Sequence, residues 1–64
     1  SREVLMAELA LPAKYRDVVY LHYYEGYTAV EIGRLLGKNV NTVYTLLTRS
    51  RQKLKEMLEG GDGP

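Results

Sequence analysis

Residues 28–49, with the sequence TAVEIGRLLGKNVNTVYTLLTR, decide the fold. Thr28 is followed three residues later by Glu31, the pattern of the capping box that begins an α-helix. Gly37 suits the left-handed residue that ends a helix, and Asn39 can cap the start of another one after a brief turn. Two helices joined by so short a turn predict a helix-turn-helix.

Two further residues are predicted to set the packing of this pair of helices. A close crossing needs a small residue midway along the first helix, and Gly33 meets that need. Val43 is expected to pack the second helix against the first. With the capping box, this spacing is a strong signal for the motif.

The second helix of the pair is predicted to run from about residue 40 to Glu59, with one apolar and one polar side. At about 100° per residue, the stripe expected to be buried comprises Val40, Val43, Leu47, Leu54 and Leu58. The outward face comprises Asn41, Thr42, Thr45, Thr48, Arg49 and Gln52. Small hydrogen-bonding groups followed by a cation suit a helix that enters the DNA major groove by its N-terminus. Leu46, at the edge of this face, is either additional core or a contact for another protein.

The rest of the chain also follows the helical period. A first helix is predicted from Arg2 to Ala10, and a second from about Pro12 to Tyr24. Their predicted apolar positions are Val4, Leu5 and Leu9 in the first, and Tyr15, Val18, Val19 and Leu21 in the second. We therefore expect an all-α fold, a small four-helix domain over residues 1–59 that contains a helix-turn-helix without winged elements. A flexible glycine-rich tail is expected at residues 60–64.

The charge of the chain is divided unevenly along its length. Nine Lys and Arg against eight Asp and Glu give a formal net charge of +1, which does not by itself demand a nucleic-acid partner. From Ile32 to Lys55, however, there are six basic side chains and no acidic one. A solvated helix face would more often mix Glu with Lys at i,i+4 spacing, so the run favours a polyanionic partner, although a charge run can be merely a solvated face.

The composition excludes several classes of protein. Without cysteine the chain has no disulfide framework, zinc finger or thiol nucleophile. His22 is the only histidine and cannot build a metal site alone, and Ser1 and Ser50 have no His or Asp at a usable spacing. No apolar run approaches the ~20 residues that span a bilayer, and we expect no secretory signal, because the sequence lacks a charged-then-apolar start. We expect no enzyme, no cofactor, no metal and no membrane segment, and a reduced, soluble, intracellular setting.

The chain carries a set of short motifs in a fixed order: Leu11-Pro12, Arg16, the stretch 23–28, Glu31-Ile32-Gly33, Leu36-Gly37, Asn41-Thr42-Val43 and Arg49-Ser50-Arg51. Their order and spacing resemble region 4 of the sigma-70-family RNA polymerase sigma factors, most closely the extracytoplasmic-function type. In that family, region 4 binds the −35 promoter element and docks on the flap of the polymerase β subunit. The resemblance therefore implies three candidate partners in a bacterial cytoplasm: double-stranded promoter DNA, the polymerase core, and an anti-sigma protein. Because the promoter-melting region 2 of the family is absent, the chain would be one part of such a factor.

The resemblance also assigns roles to individual residues. It implies base readout in the major groove by Thr45, Thr48 and Arg49. The contacts expected with the DNA backbone are Thr28, Ala29, Lys38, Asn41, Thr42, Tyr44, Arg51 and Lys53, although the angle of Arg51 points it partly back toward the bundle. The chain departs from the family at His22, Tyr44 and Leu46, where cations are frequent. Each missing cation should remove about one phosphate contact.

Two alternatives stay open at this stage. The first is a protein-interaction module with little DNA affinity in isolation. Its exposed tyrosines, Leu46 and a first half with three basic and five acidic residues would contact polymerase or an anti-sigma protein. The second is a response-regulator-type helix-turn-helix, whose spacing is similar. Leu11-Pro12 and the Arg49-Ser50-Arg51 run match sigma factors better.

Overall fold

Four α-helices and one π-helical segment form the computed structural model, which describes residues 1–60. The α-helices are α1 (Arg2–Leu9), α2 (Ala13–Val19), α3 (Ala29–Leu36) and α4 (Val40–Glu59). The π-helical segment, Tyr20–Tyr24, continues directly from α2. No strand occurs within the described range, and the all-α helix-turn-helix fold is confirmed. Of the tail predicted at residues 60–64, Gly60 is the C-cap of α4, and the remainder lies outside the described residues.

The caps of α3 and α4 form as the sequence predicts. The Thr28 hydroxyl accepts a hydrogen bond from the Glu31 N–H at 3.1 Å, and the Thr28 N–H donates to the Glu31 carboxylate at 2.9 Å. Gly37 ends α3 with a φ of 67°, in the left-handed region. The side chain of Asn39 accepts from the Asn41 N–H at 2.8 Å and begins α4.

The core lies where α4 crosses α2 and α3. Its buried members are Leu11, Tyr15, Val18, Val19, Ala29, Ile32, Val43, Leu46 and Leu47. Burying a side chain such as Val43 or Ile32 contributes about 1.5–3 kcal/mol relative to leaving it exposed. Leu46 is only 7% exposed, so it belongs to the core and is not a contact for another protein.

The two ends of the bundle bury less than the apolar pattern predicts. Leu5 and Leu9 of α1 are 49% and 55% exposed, and Leu58 of α4 is 42% exposed. The prediction of a buried Leu58 is therefore wrong, and the apolar positions predicted on the first helix are largely exposed. The physical reason is that α1 packs against its neighbours through the small side chain of Ala7, which leaves its larger side chains outside the core.

The segment Tyr20–Tyr24 has the extent predicted for the end of the second helix but a different hydrogen-bond pattern. The N–H of Glu25 donates to the Tyr20 carbonyl, five residues earlier, at 3.1 Å, which is the π-helical pattern. The Tyr20 and Tyr24 rings stack with their centroids 5.9 Å apart. The prediction of a regular α-helix as far as Tyr24 is therefore corrected for this segment. The hydrophobic period of the sequence does not distinguish a π-helical turn from an α-helical one.

Small residues allow two close approaches in the bundle. A Cβ on Gly33 would lie 2.7 Å from the carbonyl oxygen of Lys38, so the predicted need for a small residue holds, but the close neighbour is the turn and not the body of α4. Ser50 is completely buried. Its hydroxyl donates to the Leu46 carbonyl at 2.6 Å and lies 3.4 Å from the Tyr15 carbonyl of α2.

Replacing Ser50 tests how closely α2 and α4 approach each other. Ser50→Leu should lower the free energy of unfolding by about 1–3 kcal/mol or more, because the larger side chain has no space between the two helices. Ser50→Ala, the matched control, should cost about 1 kcal/mol or less, since it removes one hydrogen bond and adds no volume. Urea denaturation followed by circular dichroism measures both. Equal stability of the two variants would contradict the close approach.

Candidate nucleic-acid interface

The outward face of α4 carries the three residues predicted to read bases. Thr45, Thr48 and Arg49 are all exposed, whereas Val43 and Leu47 on the other side are buried. The three exposed side chains lie within about 100° of one another around the helix axis. They therefore form one convex surface, and a helix of about 10–12 Å diameter matches the major groove, which is about 12 Å wide.

Hydrogen bonding within α4 already fixes part of the chemistry of Thr45. Its hydroxyl donates to the carbonyl oxygen of Asn41 at 3.1 Å. The hydroxyl hydrogen is thereby used, and the lone pairs and the methyl group remain available. Such a group can accept a hydrogen bond from the amino group of adenine or cytosine, or contact the methyl group of thymine.

The N-terminus of α3 presents backbone donors. Ala29 is buried, so its predicted DNA contact can come only from its main chain. The Thr28 hydroxyl accepts a hydrogen bond from the N–H of Glu31. The N–H groups of Ala29 and Val30 are left without an acceptor inside the helix. Together with the partial positive charge of the helix N-terminus, these donors suit a phosphate.

The Glu31 carboxylate is held in this cap as an anion. The Thr28 N–H, and after it the Thr28 hydroxyl, keeps the pKa of the Glu31 carboxyl below its ordinary value of 4.5. The negative charge is thus directed at the backbone of its own cap.

Four of the predicted backbone contacts surround the N-terminus of α4. Lys38, Asn41, Thr42 and Tyr44 are all exposed there. The main-chain N–H of Asn41 is taken by the side chain of Asn39, so Asn41 would contact DNA through its amide side chain. This part of the surface is suited to contacts with one strand of a duplex.

The remaining two predicted cations lie on opposite flanks of α4. The Nζ of Lys53 is 5.5 Å from the centre of the Tyr15 ring, and Lys14 lies 5.2 Å from the same ring. Lys53 is therefore on the flank that faces α2. Arg51 is on the other flank, where its Nη1 donates a 2.6 Å hydrogen bond to the Tyr23 hydroxyl, in the inward direction that its helical angle predicts.

Sequence reasoning did not single out Tyr23 as a site residue. The contact of Tyr23 with Arg51 joins residues 28 positions apart, and no short-range pattern in the sequence signals such a pair.

An apolar groove lies elsewhere on the molecule. Its volume is about 400 Å³. Its lining consists of Leu5, Glu8, Leu9, Arg16, Asp17, Val19, Tyr20 and Tyr24. The Tyr24 hydroxyl donates to the Glu8 carboxylate across the groove, and this bond raises the pKa of Tyr24. None of the residues predicted to contact DNA lines this groove.

The part of the chain that the structure describes holds neither a metal-binding cluster nor a membrane-spanning helix. Residues 1–60 contain no group of three His, Cys, Asp or Glu side chains that could hold a metal ion. No helix in that range is both long and apolar enough to cross a bilayer.

Comparison with known proteins gives consistent matches. The family model described as "Sigma-70, region 4" matches residues 1–54. The ECF RNA polymerase sigma factor SigW of Bacillus subtilis (strain 168) is 42% identical to this chain over 58 residues. That alignment covers 91% of this chain and 31% of the relative, so the chain spans about a third of the relative's length.

The cap that positions the N-terminus of α3 predicts a pH-dependent stability. Because the pKa of the Glu31 carboxyl is lowered on folding from its ordinary 4.5, its contribution is present above that value and is lost as the pH falls through the folded-state pKa. The comparison is with Glu31→Gln, which can still accept from Thr28 but carries no charge. Thermal unfolding should show the natural chain more stable at about pH 7, and the difference between the two chains should shrink as the pH falls below the ordinary carboxyl pKa of 4.5. A difference that does not change with pH would contradict the charged cap.

Proposed function

The chain belongs to the sigma-70 region 4 family, and from this membership we propose that it recognises the −35 promoter element in the major groove and docks on the RNA polymerase core for transcription initiation. Its general character is that of the DNA-binding domain of a sigma factor, which is not an enzyme family. The observation that carries the proposal is the outward face of α4, where Thr45, Thr48 and Arg49 are exposed together.

In this proposal the N-terminal half of α4 reads the bases. Arg49 can donate two hydrogen bonds to the O6 and N7 of guanine, the commonest specific contact in the major groove. Thr45 offers an acceptor and a methyl group because its hydrogen is bonded to Asn41. Thr48, one turn further along, is free to face a neighbouring base pair.

Contacts with phosphates would fix the register of the helix on the duplex. The proposed contacts are the residues predicted from the family, Thr28, Ala29, Lys38, Asn41, Thr42, Tyr44, Arg51 and Lys53. Since the Ala29 side chain is buried, it would contribute its N–H. Lys53 reaches a phosphate only if a strand passes the flank of α4 that faces α2.

The electrostatic contribution should be moderate for a DNA-binding domain. Six basic residues and no acidic one lie between Ile32 and Lys55, and each cation that neutralises a phosphate adds to the salt dependence of binding. Leu46 lies where the family often has a cation, and its side chain is buried. Core packing at this position therefore takes the place of the phosphate contact that a cation would make. The isolated domain should therefore bind more weakly than one that retains all the family's cations.

A selection experiment tests the proposed recognition. Duplexes are selected from a random pool by the 64-residue chain at fixed salt, with and without polymerase core. We expect one preferred sequence in both arms and tighter binding when polymerase is present. Equal recovery of all sequences in both arms would contradict base readout.

Arg49 provides the sharpest substitution for base readout. Arg49→Ala should weaken binding to the selected duplex by about 1–3 kcal/mol and relax the preference at one base position, because a bidentate contact is lost. Arg2→Ala is the matched control, because it removes an exposed cation from α1, which carries none of the proposed DNA contacts, and it should leave the affinity and the preference unchanged. Fluorescence anisotropy on the selected duplex and its single-base variants measures both. Loss of affinity without any change in preference would assign Arg49 to the backbone.

Docking on polymerase is proposed for the apolar groove between α1, α2 and the π-helical segment. Leu5, Leu9, Tyr20 and Tyr24 line it and remain about half exposed. A groove of this kind suits the apolar side of an amphipathic helix. We propose the β flap of the polymerase core as its occupant and an anti-sigma protein as a competitor for the same surface. Docking on polymerase would give the domain a role in addition to DNA binding. We also propose that it acts in the bacterial cytoplasm.

Leu9 tests the docking surface separately from the DNA surface. Leu9→Ala should weaken binding to a polymerase flap fragment by about tenfold or more, since it removes a large apolar contact while keeping helix propensity. Met6→Ala, on the same helix but outside the groove, is the control. Both variants should bind the selected duplex like the natural chain. Unchanged flap binding by Leu9→Ala would rule out this groove as the docking site.

A further inference from the structure

We propose that Tyr23 and Arg51 together bind one phosphate of the DNA backbone, with the Tyr23 hydroxyl as a donor. The inference rests on the proposed function of α4 and adds to it a residue on a different element. Tyr23 lies on the π-helical segment, and Arg51 lies on α4, beyond the residues that face the bases.

The direction of the hydrogen bond between the two residues determines what they present to solvent. A guanidinium group has only donors, so in the 2.6 Å contact from Arg51 Nη1 the Tyr23 oxygen must accept. The hydroxyl hydrogen of Tyr23 then points away from the guanidinium. Both side chains are exposed, Tyr23 by 50%. The pair therefore offers an O–H donor, the other N–H donors of Arg51 and one positive charge, the combination that a phosphate accepts.

The Tyr23 ring is held in place before any ligand binds. The ring of His22 meets it edge-on with the centroids 4.8 Å apart. His22 is itself held by a 2.8 Å hydrogen bond between its Nδ1 and the carbonyl oxygen of Tyr27, in which Nδ1 must be the donor. Gly26, at a φ of 78°, makes the turn that brings this carbonyl back to His22. A side chain fixed in this way loses little conformational freedom on binding.

The position of the pair on α4 agrees with contact to the backbone and not to bases. Arg51 follows Tyr44 by seven residues, so the two lie on nearly the same flank of the helix, about 10 Å apart along its axis. This flank borders the outward face that carries Thr48. The segment of Tyr23 leads within a few residues to Thr28 and the N-terminus of α3, where other phosphate contacts are proposed. One strand of the duplex could follow this edge of the domain.

The first test compares two tyrosines of the same segment. Tyr23→Phe should weaken binding to the selected duplex by roughly 3- to 10-fold, the effect of one lost hydrogen bond. The slope of affinity against salt should not change, because a neutral hydroxyl releases no counterion. Tyr20→Phe, at a similarly exposed residue on the groove side, should leave the affinity unchanged. Arg51→Gln should lower both the affinity and the salt slope, the latter by about 1.

The second test identifies the phosphate and separates binding from a structural role. Single neutral methylphosphonate groups are placed in turn along each strand of the selected duplex. At one position, the substitution should weaken the natural chain but not Tyr23→Phe. Thermal unfolding of Tyr23→Phe should match that of Tyr20→Phe.

The outcomes distinguish this inference from the proposed function. If the natural chain selects no sequence, both fail. If it binds its selected duplex and Arg49→Ala weakens that binding while Tyr23→Phe does not, the phosphate site alone is overturned. A loss in Tyr23→Phe that is the same at every methylphosphonate position would also overturn it, since the residue would then act only through structure.

Discussion

The burial of one side of α4 is the constraint on which the rest of the molecule depends. Helices α2 and α3 enclose Val43, Leu47 and Ser50. Because this side of α4 is fixed, the directions of its other side chains are fixed as well. Thr45, Thr48 and Arg49 are directed outward for this reason. The bundle therefore holds α4 in a fixed orientation. The N-terminus of α3 lies next to α4. In the proposed function, the residues that would contact DNA are those that the core leaves exposed.

Local chemistry made part of this structure predictable. The capping box of Thr28 and Glu31 and the left-handed Gly37 depend on residues a few positions apart, so the helix-turn-helix and its outward face follow from the sequence. Burial at Leu5 and Leu58 depends on how many neighbours cover each end of the bundle, and periodicity does not contain that information. In the sequence Ser50 is indistinguishable from an ordinary exposed polar residue, because its contact with Tyr15, 35 positions away, forms only in the folded structure. Of the site, the face of α4 could be predicted, whereas the bond between Arg51 and Tyr23 requires the tertiary structure.

The π-helical segment links the two surfaces proposed here. Tyr20 and Tyr24 line the apolar groove, whereas Tyr23 contacts Arg51 beside the DNA face. A chain rich in tyrosine and without Phe or Trp can use the same residue type for both, since the ring packs and the hydroxyl bonds. Membership of the sigma-70 region 4 family sets aside a response-regulator-type domain. The proposed DNA contacts and the proposed docking groove use different residues, so one domain could serve both.

An amide-resolved NMR titration of the chain with its selected duplex tests the central claim most directly. We expect the largest shifts on the first three turns of α4 and on the N-terminus of α3, and little change in the amides of α1. Shifts confined to α1 and the apolar groove, or a spectrum that the duplex leaves unchanged, would contradict it.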